Sequence, residues 1–88
     1  MPALSMFFGI IIYMYREQGG RHNLPHIHAE YQDDEAVISL EGELIEGTLP
    51  PKKLRMVQTW IDIHNDELAA NWKLLSRGQA VFKIAPLQ

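Results

Sequence analysis

Eighty-eight residues without a cysteine make one small domain, residues 1–88, with no disulfide or thiolate chemistry to draw on. The net charge of −3 argues against a general nucleic-acid-binding protein, and the missing cysteines fit a reducing cytosol. A chain this short buries only about 60–65% of its unfolded surface, so a partner surface adds to its stability.

The first apolar run, Ala3 to Tyr15, has no basic residue before it and no small-residue cleavage pattern. It is too short to span a bilayer as a helix, so it reads as a buried strand rather than a leader or membrane segment. Within it, Leu4 to Tyr15 is expected to form one central strand. Phe8, Ile10, Ile12 and Met14 fall on one face, and Phe7, Ile11, Tyr13 and Tyr15 on the other. Gly9 marks a bulge or a close approach by another backbone. Arg16 to Pro25 reads as a loop, loosened by Gly19-Gly20.

A second strand, His26 to Gln32, begins after Pro25, whose missing N–H suits a strand's first position. Ile27, Ala29 and Tyr31 alternate with His26, His28 and Glu30, so the apolar trio seeks a core. The polar trio is then expected to face solvent, a cleft or a partner, and the histidines to tolerate truncation. Gln32-Asp33-Asp34 reads as a turn, and Glu35 to Leu40 as a third strand with Ala36, Ile38 and Leu40 inward. Glu41-Gly42 signals a hairpin into a fourth strand, Glu43 to Leu49.

Pro50-Pro51 ends the sheet and opens a helix. Leu54, Val57, Ile61 and His64 keep helical spacing, with Met56, Trp60 and Ile63 widening the stripe. Asn65 is the expected N-cap of a second helix whose ridge is Leu68, Trp72 and Leu75; one long helix through Asn65 is the alternative. Gly78 is its stop after Arg77, and Ala80 to Ile84 can add a short edge strand. The expected class is therefore α+β: a four-stranded antiparallel meander, then two helices packed on one face.

Charge is uneven along the chain. Glu30 to Glu46 holds seven acids and no Lys or Arg, whereas Gly47 onward holds six bases and three acids. This describes either two solvated faces of opposite sign or two complementary partner surfaces. Lys52, Lys53 and Arg55 open the first helix, at the dipole's positive end, as a solubilising turn or a place for an acidic partner.

Three of the four histidines, His22, His26 and His28, stand within seven residues. Three chemistries suit them. They can be structural imidazoles bonded to backbone. With Glu30 they can hold zinc and leave an open position, as in a small metal-dependent hydrolase, although no HExxH-type signature is present. They can cleave a phosphodiester such as RNA without metal or other cofactor, one imidazole as base and one as acid, because imidazoles titrate near neutral pH. Arg16 and Arg21 then hold phosphate, and Tyr13 or Tyr15 stacks a base. Trp60 and Trp72 read as core residues, and His64 as a dipole partner at a helix end or a core-edge residue.

Several segments together carry a family likeness. They are Ser5-Met6-Phe7, Gly9-Ile10-Ile11-Ile12, His22-Asn23, Pro25-His26 and His28, then Gly47, Leu49-Pro50, Trp60, Glu67-Leu68, Trp72, Ile84 and Pro86-Leu87. In these residues the chain resembles the bacterial domain of unknown function 4160 family over nearly its whole length. Leu24 departs from the pattern, which often has a second proline there, and this loosens the loop entry. The resemblance implies a small prokaryotic protein encoded beside a domain of unknown function 2442 protein. Such a pair resembles a toxin–antitoxin module, this domain being the toxin and its neighbour the antitoxin. The resemblance assigns no catalytic residue. Two function classes stay open: an enzyme acting through the histidine loop, and a non-enzymatic module that binds a neighbouring-gene partner or a second copy of itself.

Overall fold

The computed structural model describes residues 2–16 and 24–88. Its elements are β1 (Ser5–Phe7), β2 (Ile10–Tyr13), β3 (His26–Tyr31), β4 (Asp34–Ser39), β5 (Leu44–Gly47), α1 (Pro51–Ile63) and α2 (Asn65–Ser76). The class is α+β as expected, but the sheet has five strands in the order β1-β2-β3-β4-β5, all antiparallel, instead of four.

The extra strand comes from the first apolar run, which folds back on itself. Phe7 pairs with Ile10, leaving Phe8 and Gly9 as a two-residue loop. Both loop residues have positive φ, 50° and 80°, as the tight hairpin turn matching strand twist requires. A side chain at Gly9 would also crowd the Tyr31 ring, whose edge would stand 3.2 Å from its Cβ. The fold-back moves Phe8 off the core face: Phe7, Ile10 and Ile12 are buried, while Met6 and Phe8 are 62% and 53% exposed. Apolar periodicity did not separate one long strand from two short ones, because both halves are equally hydrophobic.

The remaining strands keep the expected alternation. Ile27 pairs with Ile38 and Ala29 with Ala36, and all four are fully buried. Gln32-Asp33 forms the turn between β3 and β4, with Gln32 at φ 53°. Between β4 and β5 the Ser39 hydroxyl accepts bonds from the Glu41 and Glu43 amides, at 3.2 and 3.1 Å. At the end of β5, Gly47 lies opposite Ala36 with φ 77°.

α1 begins at Pro51, where a missing N–H costs nothing, and Leu54 donates to Pro50 to close the first turn. Val57, Trp60 and Ile61 bury against the sheet's apolar face together with Leu68 of α2. The helices are separate, not one. His64 alone divides them, at φ −106° and ψ 25°, and it takes the cap position expected of Asn65. Asn65 is the first residue of α2, and its amide donates to the Leu40 carbonyl at 2.6 Å. α2 ends where expected: Gly78 and Gln79 donate to Leu75 and Leu74 at 3.0 and 2.9 Å.

The C-terminal tail forms no strand but is tied down at three places. Ile84 donates to Leu4 at 3.0 Å, Trp60 Nε1 donates to Ala85 at 2.8 Å, and the buried Asn71 amide makes two bonds to Phe82, each 2.9 Å. Asn71→Leu keeps the branched shape and removes both bonds. It is expected to cost about 1–3 kcal/mol, measured as a lower denaturant midpoint with unchanged slope.

Candidate functional site

Pairing of β3 between β2 and β4 places His28 opposite Tyr13 and Val37, and His26 opposite Ser39. The sequence leads one to expect the imidazoles at solvent or in a cleft. Instead His26 is 0% and His28 2% exposed. The histidine face of β3 is covered as well as the Ile27 face, so four successive residues are buried.

Aromatic rings from other parts of the chain lie against each imidazole. The His28 ring stacks on Tyr15, centroids 4.0 Å apart and 9° from parallel. The Tyr15 hydroxyl and His28 Nδ1 share a hydrogen bond of 3.1 Å. The His26 ring lies 5.2 Å from the Trp72 ring of α2. His26 Nδ1 is 2.6 Å from the Leu24 carbonyl. A carbonyl only accepts, so Nδ1 carries the proton of that bond. The two imidazoles meet edge to face at 5.1 Å. The sequence leads one to expect Tyr13 or Tyr15 to stack a base; in the structure Tyr15 stacks on His28. Nothing in the periodicity announces that pairing, because the two residues are 13 positions apart.

The other candidates divide. Arg16 is exposed, and no described bond or ion pair joins it to the histidines. Arg21 and His22 lie outside the described residues. Among the described residues no group of three His, Asp or Glu side chains can hold a metal ion; His22 of the zinc reading is not among them. His64 does stand at a helix end, its Nδ1 2.6 Å from the Glu67 carboxylate and its ring 5.6 Å from Trp60. Trp60 is fully buried and Trp72 partly so, both in the core as expected.

The basic first turn of α1 has an internal task. Lys53 Nζ donates to the Phe8 carbonyl at 3.0 Å and stands 4.9 Å over the Tyr31 ring. It therefore ties α1 to the first hairpin. Shallow grooves mark the surface of the described residues. One, about 240 Å³, is lined by Leu24, Pro25, Leu40, Glu41 and Glu43 among others. The other, about 220 Å³, runs between β1 and the C-terminal tail and is lined by Leu4, Ser5, Met6, Lys83, Ile84 and Pro86.

The geometry defines a small antiparallel-sheet domain, backed by two helices, with an imidazole pair built into its interior and grooves at its margins. Residues 9–73 match the model of the Domain of unknown function (DUF4160) family, and the chain belongs to that family. No curated protein and no solved structure matches it. Among the described residues, no helix is long and apolar enough to cross a membrane.

Proposed function

We propose that this domain works by binding another protein, as the toxin-side component of a two-gene prokaryotic module in the cytoplasm. Its partner is the product of the neighbouring gene, a protein of the domain of unknown function 2442 family. The observation that carries the binding mode is the burial of His26 and His28. Both imidazoles are spent on internal contacts, with the Leu24 carbonyl, Tyr15 and Trp72. A soluble substrate reaches a general base only through an opening, and these rings have almost no solvent-exposed surface. The module itself is supported by the family resemblance. Its test is expression of the chain alone and together with its neighbour. Growth arrest by the chain alone, relief by the neighbour and a stoichiometric complex on size exclusion are expected. Neutral expression with no complex would remove the proposal.

A second reading is favoured by one distance. Imidazoles 5.1 Å apart can act as base and acid in RNA cleavage, with Arg16, Arg21 and His22 as further candidates. Purified chain that cleaves RNA, and loses cleavage in His28→Gln while keeping its melting temperature, would establish this reading over binding. Chelator sensitivity restored by zinc would assign the cleavage to a metal.

A further inference from the structure

We infer that the outer edge of β1 is the docking edge for the partner, and that it takes an extended, acidic segment of the partner as an added strand. This rests on the binding reading above and names the surface that carries it. β1 is the terminal strand of the sheet. In a two-residue hairpin the pair flanking the loop, Phe7 and Ile10, exchanges both backbone bonds, so the next pair, Met6 and Ile11, does not. The Met6 N–H and C=O therefore point away from β2, toward the open edge. Leu4 departs from this alternation: its amide bonds the Ile12 carbonyl of β2 at 2.7 Å, while its carbonyl takes the Ile84 amide at 3.0 Å. The C-terminal tail thus supplies the first rung of a further strand and stops. Among the described residues nothing continues it past Met6.

The groove beside this edge has the chemistry of a strand-addition site. Met6, Ile84 and Pro86 give apolar walls, with the Met6 side chain 62% exposed. Ser5 lines it, 7% exposed, and its hydroxyl has no hydrogen-bond partner among the described residues. Lys83 is the one charged residue of the lining among the described residues, so the complementary segment carries a carboxylate.

The test uses the complex of the full chain with the neighbouring gene's product. Met6→Pro removes the outward N–H, a change an edge strand tolerates, and Lys83→Glu reverses the groove's charge. Each is expected to weaken the complex about tenfold or more by calorimetry, equivalent to about 1.4 kcal/mol, with melting temperatures unchanged. Hydrogen exchange is expected to show the Met6 amide protected on binding. Wild-type affinity in both variants, or protection at β5 in place of Met6, overturns the edge assignment and leaves the binding proposal standing. A dimer of the chain that Met6→Pro dissociates would assign the edge to self-association instead. No complex at all removes both.

Discussion

Gly47→Ala is expected to remove a large share of the domain's stability. Gly47 sits in left-handed backbone, φ 77°, which an alanine adopts only under strain. A Cβ there would also lie on the Glu35 carbonyl oxygen, far inside contact distance, and 3.1 Å from the Ala36 Cα. Both are backbone atoms of β4, so no side chain can swing away. The Glu35 carbonyl already receives the Thr48 amide at 3.1 Å, and moving it breaks that bond too. Strain and overpacking together are expected to cost about 3–5 kcal/mol. A domain of this size has about 4–13 kcal/mol in all. The melting temperature should drop by roughly 15 °C or more. Gly42→Ala separates the two causes. Gly42 has φ 90° but nothing within 4 Å of the added Cβ, so only the conformational strain of about 1 kcal/mol is expected there. Equal losses in the two variants would show that the contact with Glu35 does not matter.

Truncating the histidines is expected to be nearly as damaging, against the expectation from sequence that they tolerate it. His26→Ala removes a fully buried ring, its contact with Trp72 and the bond to the Leu24 carbonyl. The loss of packing and of one hydrogen bond amounts to about 2–4 kcal/mol. His28→Ala should cost a similar amount, since it leaves Tyr15 without its stacked ring and its hydroxyl without Nδ1. Thermal melts and growth on expression, measured for the same two proteins, decide between structure and chemistry. Large losses of melting temperature assign the histidines to the fold. Wild-type melting with lost toxicity would return them to a catalytic role and sink the structural assignment.

Much of the framework was legible residue by residue. Ile27, Ala29, Ala36 and Ile38 declared their inward face by alternation, and Pro50-Pro51 declared the start of α1, because these signals are local. Gly9 stands out in the sequence, where its place in an apolar run predicts a bulge or a close approach by another backbone; in the structure it is half of a turn. Positive φ at Phe8 has no signal in a phenylalanine, so the fifth strand was invisible. Asn65 shows the same limit at a helix start. Its type fits a cap, but the nearby Leu40 carbonyl recruits its amide elsewhere.

The amino-acid sequence by itself determined the α+β class, the antiparallel meander, a helical segment from Pro51 that stops at Gly78, and membership of the family. Each follows from periodicity, from proline and glycine positions, or from motif residues, all of which are properties of neighbours along the chain. Only the tertiary structure decided that the histidines are interior. Tyr15 reaches His28 from across 13 residues, and Trp72 reaches His26 from α2. A strand's polar face is exposed or buried according to what distant elements lay over it, and burial of this kind is a property of the assembled layers rather than of the alternation within one strand.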